Sequence, residues 1–209
     1  MGKKYYAVRA GKTPGIYRTW DDCRKQVYGF KGAKYKGFET LKDAENFMEA
    51  EESNIKLVEE DIPSIMASND VEAVAYVDGS YDNANKKYSF GAVIFYKEKE
   101  IQLSGAGEEP GMVEMRNVAG EIKSAMKSVE YCVDNNISSI MIFHDYQGIG
   151  KWGDGVWKTN LPETTAYKEY MKNAREKDGM KILFKHVKGH SGNKYNELAD
   201  KLAKEALSQ

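Results

Sequence analysis

Two short apolar runs, Ala73-Val74-Ala75-Tyr76-Val77 and Ser139-Ile140-Met141-Ile142-Phe143, constrain the fold of this chain more than any other feature. A strand with one wet face alternates apolar and polar residues, whereas an unbroken apolar run belongs to a strand covered on both faces. Between the runs, Tyr88 to Tyr96 and Ile101 to Ala106 read as two further strands, with Lys97-Glu98-Lys99 as the hairpin turn. Asn117 to Asp134 reads as a long helix, because Val118, Ile122, Ala125, Met126, Val129 and Val133 recur at helical spacing. Glu163 to Lys177 then reads as a helix, Lys181 to Val187 as a strand and Asn193 to Leu207 as a last helix. The order βββαβαβα predicts an α/β unit in which helices cover a mixed sheet.

The first fifty residues have a different character. Lys4 to Arg9, Gly15 to Trp20 and Ala33 to Phe38 have strand composition, and Gly11-Lys12-Thr13-Pro14-Gly15 is turn chemistry. Asp21 or Asp22 is a suitable N-cap for a short helix through Tyr28, and Thr40 opens a second helix with Leu41, Ala44, Phe47 and Met48 on one face. This predicts a small α+β domain over residues 1–50, an acidic linker over 51–70 and the larger domain over 71–209. Charge follows the same division. Residues 1–48 carry eleven Lys/Arg against five Asp/Glu, residues 49–72 one against eight, and residues 73–209 nineteen of each. A basic head suggests a polyanionic partner.

Other classes fall away. No apolar run approaches the ~18 residues of a membrane span. Met1 to Arg9 lacks the apolar core of a secretory leader, and the two cysteines, Cys23 and Cys132, cannot form a disulfide framework or a zinc site. A reducing, cytoplasmic setting is expected.

Four acids occupy element ends or helix faces. Asp78 follows the first apolar run, Asp145 follows the second through His144, Glu121 lies one turn after Asn117, and Asp200 borders the apolar stripe of the last helix. Singly, each reads as a cap or a solvated carboxylate. Together, converging carboxylates would repel one another unless a cation sat among them. Hard oxygen donors favour magnesium or manganese over zinc. Two such ions ~3.5–4 Å apart can activate a water and stabilise the leaving oxygen of a phosphodiester.

Asp78-Gly79-Ser80, Glu121, Asp145-Tyr146-Gln147, Val187-Lys188-Gly189-His190-Ser191-Gly192 and Asn196-Glu197-Leu198-Ala199-Asp200 are the residues on which the chain from 73 onward resembles type 1 ribonuclease H. The resemblance implies a five-stranded mixed sheet flanked by helices. It also implies two Mg2+ ions, for which Mn2+ can substitute, and endonucleolytic hydrolysis of the RNA strand of an RNA–DNA hybrid. Asp78, Glu121, Asp145 and Asp200 would be catalytic metal ligands, and His190 would assist proton transfer or product departure. Asn117 and Gln147 would touch the minor groove, where the 2′-hydroxyl separates RNA from DNA, and Ser80 joins the substrate-contacting set. Where the family often has Thr-Asn-Asn before its helical Glu, this chain has Arg116-Asn117-Val118, which makes Arg116 the candidate cation for a DNA phosphate. The stretch Lys151 to Lys158 supplies few cations, so substrate grip from this domain alone is expected to be weak.

Residues 4–48 are similar to the hybrid-binding, viroplasmin-like domain found at the N-terminus of many type 1 ribonucleases H. The features are Tyr5-Tyr6-Ala7-Val8-Arg9-Ala10-Gly11, Gly15-Ile16-Tyr17, Thr19-Trp20, Cys23, Val27 and Ala33-Lys34-Tyr35-Lys36-Gly37-Phe38. The similarity implies that Tyr6, Trp20, Tyr35 and Lys36 face nucleic acid, with Tyr5 and Phe38 the better core candidates. The expected partner is an RNA–DNA hybrid, with no membrane, no obligatory protein partner and a monomeric chain. Two other readings stand beside this one: a DNA-cutting nuclease of the same fold, and a non-catalytic hybrid or double-stranded RNA-binding protein.

Overall fold

The computed structural model describes residues 5–44, 47–48, 61–189 and 192–208. It divides into two compact units, Met1–Val58 and Glu59–Gln209.

The first unit contains β1 (Tyr5–Ala10), β2 (Gly15–Tyr17), α1 (Trp20–Val27) and β3 (Lys34–Phe38), with the strands ordered β2-β1-β3 and antiparallel. Side chains alternate along β1, so Tyr6 shares a face with Val8, and Val8 packs with Cys23 and Val27 of α1. Tyr6 and Tyr17 lean on this core, while Tyr5 and Phe38, half-buried like Tyr6, are cross-strand partners on the other face of the sheet, where Phe38 meets Phe47 at 5.3 Å. Helix α1 starts at Trp20 because Thr19, not Asp21 or Asp22, is its N-cap: the Asp22 N–H donates to Thr19 Oγ1 at 3.2 Å. The cap expected at Thr40 forms, its Oγ1 accepting the Asp43 N–H at 3.1 Å.

Residues 51–60 of the acidic segment lie outside the described residues. The rest of that segment carries α2 (Ile62–Asn69), whose Ile62, Ile65 and Met66 pack with Val71, Val74 and Tyr76. The connector thus gives way to folded structure before residue 70.

The second unit continues with β4 (Ala73–Asp82), β5 (Lys87–Tyr96), β6 (Lys99–Gly107), α3 (Pro110–Glu114), α4 (Asn117–Asp134) and β7 (Ser139–His144). After these come α5 (Gln147–Gly153), α6 (Pro162–Glu176), β8 (Lys181–His186) and α7 (Lys194–Ala206). The five strands are ordered β6-β5-β4-β7-β8; the β6-β5-β4 pairs are antiparallel and the β4-β7-β8 pairs parallel, the mixed sheet that was expected. Helices α4 and α6 pack on one face, against Ala73, Ala75, Val77, Ile140 and Ile142. Helices α2 and α7 pack on the other, against Val74, Tyr76, Met141 and Phe143. Both faces of β4 and β7 are dry, which is why neither apolar run alternates.

Asp78 was expected just beyond a strand and lies inside one. Strand β7 pairs with β4 only as far as Tyr76, while β5 pairs with it out to Asp82. The apolar run ends where one neighbour ends, and the strand continues on the other. Helices α3 and α5 were not expected. Helix α5 contains Gly148, Gly150 and Gly153, poor helix formers, but a Cβ at any of the three would meet a neighbouring side chain, at Gly148 the Tyr146 ring at 2.3 Å. A Cβ on Gly150 would come 2.9 Å from His144 Nε2, and one on Gly153 would come 2.6 Å from the Phe184 ring. Cys23 and Cys132 are both free and buried. No helix among the described residues is long and apolar enough to cross a membrane.

Candidate active site

Three glycines explain how acids from four elements meet. Gly91 is the cross-strand partner of Asp78, and a Cβ there would lie 2.2 Å from the Ala199 carbonyl of α7. Its absence lets α7 rest on the backbone of β5 and brings Asp200 toward Asp78. On the opposite face a Cβ at Gly79 would lie 2.2 Å from the Asn117 carbonyl and 2.4 Å from the Glu121 nitrogen, and one at Gly120 would lie 1.9 Å from the Ser89 carbonyl. Helix α4 therefore lies almost on the backbone of β4 and β5, with Glu121 beside the sheet. Two buried hydroxyls stitch these contacts: Ser124 donates to the Gly91 carbonyl and Ser89 to the Ala203 carbonyl, both at 2.6 Å.

Asp78 is 7% exposed and Glu121 2%. The Gly79 N–H donates to Asp78 Oδ1 at 2.7 Å, and the Tyr146 N–H donates to Glu121 Oε2 at 3.3 Å. Asp145 and Asp200 are half-buried. Burial, then the charge of Asp145 and that of Asp200, push the Asp78 carboxyl up to about 7 against the Gly79 hydrogen bond. Burial, then the charges of Asp145 and Asp78, push Glu121 up to about 9. All four acids sense one another, directly or through Asp78. Lys204 donates to Asp200 Oδ2 at 2.5 Å, an i,i+4 pair on α7 that charge spacing alone could have found in the sequence.

Among the described residues, no three His, Cys, Asp or Glu side chains are set for metal coordination as they stand. Burial and the neighbouring negative charge instead favour the protonated forms of Asp78 and Glu121, and Lys204 pairs with Asp200. An oxygen-only donor set with buried, mutually repelling carboxylates suits hard divalent cations. Asn196, one turn before Asp200, is also buried with its Oδ1 unpartnered. The residues fit the metal chemistry expected of them.

This has a thermal consequence. The unfolded chain ionises Asp78 near 3.8 and Glu121 near 4.5, while folding raises them to about 7 and about 9. The folded state holds extra protons, so stability is complete below the unfolded values and is lost as pH rises through the folded ones. The metal-free melting temperature should fall by ~5 °C or more between about pH 5 and about pH 8, and Mg2+ should restore more of it at the higher pH. Differential scanning calorimetry with and without chelator reads this; a flat profile would count against the buried cluster.

The other expected residues fall as follows. Ser80 lies two residues past Asp78 on the same strand face, and Asn117 is the exposed first residue of α4. Arg116, the N-cap of α4, is exposed and has φ 56° and ψ −130°, a backbone conformation normally left to glycine. Gln147 is exposed at the start of α5. His190 lies outside the described residues; Gly189 before it abuts Asp145, where a Cβ would come 2.3 Å from Oδ2.

In the first unit Tyr6, Trp20 and Tyr35 form an aromatic row with successive centroids 5.7 Å apart, and Trp20 and Tyr35 remain 42% and 45% exposed. Lys36 follows Tyr35 in β3 and so points to the other sheet face, its Nζ 5.7 Å from the Phe38 ring. Lys36 is exposed there, on the face away from the aromatic row. Sequence reasoning did not find the hydrogen bonds of His144 and His186, each of which ties its ring to the chain around Asp145.

Comparison with known proteins agrees with this geometry. Residues 70–208 match the family model described as RNase H, and residues 4–48 match that described as the ribonuclease H1 N-terminal domain. Human ribonuclease H1 is 28% identical over 259 aligned positions, covering 98% of this chain and 90% of that protein. Among solved structures, RNase H1 from Halobacterium salinarum is 22% identical with a TM-score of 0.53, covering 65% of this chain and 97% of that one. LC11-RNase H1 in complex with an RNA/DNA hybrid is 16% identical with a TM-score of 0.52, covering 65% and 99%. With the RNase H model spanning well over half its length, the chain belongs to the ribonuclease H family and is a ribonuclease H enzyme that carries the ribonuclease H1 N-terminal domain ahead of its catalytic fold.

Proposed function

We propose that the protein hydrolyses the RNA strand of RNA–DNA hybrids endonucleolytically, with Asp78, Glu121, Asp145 and Asp200 holding two divalent cations and the N-terminal unit gripping the hybrid. The observation that carries this reading is the upward push on Asp78 and Glu121 from burial and from the neighbouring charges of Asp145 and, for Asp78, Asp200, which a cation among the four acids would relieve. Bound there, Mg2+ or Mn2+ would supply Lewis acidity toward an attacking water and the leaving 3′-oxygen. The chain's own groups do the rest. Gly79 N–H and Tyr146 N–H orient the Asp78 and Glu121 carboxylates. Asn117 and Gln147 offer amide donors and acceptors to the 2′-hydroxyl and base edges, Ser80 adds a hydroxyl, and Arg116 takes a DNA phosphate. His190 carries a proton to or from the departing product.

In the first unit, Tyr6, Trp20 and Tyr35 provide an apolar ridge for deoxyribose, and Lys36 meets phosphate. Residues 1–50, 51–70 and 71–209 then act as grip, connector and cutter, with α2 supporting the cutter. The connector's negative charge keeps it off the duplex. The protein works as a cytoplasmic monomer without an obligatory partner.

The test incubates purified protein with labelled hybrid, single-stranded RNA, duplex RNA and duplex DNA, in Mg2+ or chelator. Only the hybrid should be cut, only with metal, and only in its RNA strand. Cleavage of duplex DNA would favour a DNA-cutting nuclease of this fold. Deleting residues 1–50 should raise the apparent KM by roughly tenfold at ~0.1 M salt and flatten its salt dependence. Unchanged kinetics would remove the gripping role.

A further inference from the structure

We propose that His144 and His186 are paired positioning residues that hold the backbone of Asp145 and Tyr146, and through it the direction of the Asp145 carboxylate. The proposal rests on the reading of Asp145 as a metal ligand.

The two histidines face each other as the last register pair of the parallel strands β7 and β8. The Val187 N–H still donates to the His144 carbonyl at 2.9 Å, and there the ladder stops. The next peptide groups, at the exit from the sheet, would be left without strand partners. The Ile149 N–H donates to the Tyr146 carbonyl at 3.1 Å, and side chains supply the remaining partners. His186 Nε2 is 2.9 Å from the Asp145 carbonyl, His144 Nδ1 is 2.9 Å from the Tyr146 carbonyl, and Glu121 accepts the Tyr146 N–H. A carbonyl oxygen can only accept, so each of these ring nitrogens must carry a proton. His144 is thereby fixed as the Nδ1–H tautomer, and His186 donates from Nε2.

Packing locks the His144 ring. It is 3% exposed, with Phe184 edge-on at 6.0 Å, His186 at 5.9 Å, and Gly150 leaving space beside Nε2. Two consecutive carbonyls held by two rings leave the Asp145 backbone little freedom to rotate. A carboxylate that must meet a cation within a few tenths of an ångström needs such support. A histidine that only filled space would need no donor aimed at this turn.

Amide side chains can reproduce these donors: Asn places its Nδ2 near the position of Nδ1, and Gln places its Nε2 near that of Nε2. In the full chain, His186→Leu should lower kcat by about tenfold with KM for the hybrid little changed, and should weaken Mn2+ binding, read by electron paramagnetic resonance of the free ion, by a similar factor. His186→Gln should recover most of both. His186 is exposed, so neither change should unfold the protein. His144→Asn should likewise outperform His144→Leu. A His186→Leu protein that binds Mn2+ and cleaves like wild type, or a Gln variant as impaired as the Leu variant, would overturn the proposal. Imidazole 15N spectra of the metal-free protein decide the clamp independently of catalysis. Protons on His144 Nδ1 and His186 Nε2 are expected, and a bare nitrogen at either position overturns it. The expected tautomers in a chain that leaves the hybrid uncut would overturn the nuclease reading alone.

Discussion

Replacing Asp145 by Asn should leave less than ~0.1% of the hybrid-cleaving rate while hybrid affinity stays within about threefold, because a residue that serves only a cation centre, as proposed for Asp145, lowers kcat without touching binding. Asn keeps the size and one oxygen of the side chain but removes its charge. Three consequences separate this from simple damage to the fold. Asp145 is the largest charge acting on both Asp78 and Glu121, so its neutralisation brings both of their carboxyls back down toward their ordinary values. The metal-free variant should therefore melt higher than wild type at about pH 8, where the wild type suffers most from buried repulsion. Its Mn2+ affinity should fall at the same time. Single-turnover cleavage, mobility-shift binding and calorimetry on one preparation read all three. Residual cleavage above a few per cent of wild type would remove Asp145 from the reaction. A protein inactive on hybrid both before and after the change would be a binder that keeps this sheet without the chemistry.

The strands and long helices were legible because burial writes itself into local pattern. Asn117–Asp134 is the span that its apolar spacing predicts, and β7 differs from the reading of Ser139 to Phe143 only by adding His144. The acids were legible as candidates for a different reason: charged residues at strand ends and on apolar borders violate the pattern around them. What brings them together was not legible, because it is an absence of side chain. Gly79, Gly91 and Gly120 look like ordinary glycines until the helices are laid on the sheet; an isolated glycine within a strand was the available signal of close backbone approach. The partners of His144 and His186 were hidden for a similar reason. Both are backbone carbonyls at a strand exit, and a carbonyl carries no residue identity. In the first unit the parity of β1 decides that Tyr6 rather than Tyr5 meets Val8, and a one-residue error in parity exchanges the two faces.

The glycines give the second large effect. Gly120→Ala places a methyl group 1.9 Å from the Ser89 carbonyl and 2.7 Å from the Gly79 Cα, and both neighbours are backbone. Neither can rotate away, unlike the tip of a long side chain, so α4 or the strands must shift as bodies. Overpacking of a tight interface typically costs 1–3 kcal/mol, and contacts with two backbone atoms put this variant at about 3 kcal/mol or more, a drop of roughly 6–12 °C in melting temperature. Helix propensity acts the other way, since alanine inside a helix gains about 1 kcal/mol over glycine, and it is too small to compensate. Gly91→Ala makes the matching argument on the opposite face, its Cβ 2.2 Å from the Ala199 carbonyl. The two variants should differ in which acid they displace. Gly120→Ala moves Glu121 and leaves Lys204 paired with Asp200, whereas Gly91→Ala moves the helix that carries both. Each should therefore weaken Mn2+ binding beyond its effect on stability at 25 °C, read below the melting transition of the variant. A Gly120→Ala protein that melts within ~1 °C of wild type would mean that α4 does not lie against the backbone of β4 and β5, and with it would go the reason for Glu121 standing beside Asp78.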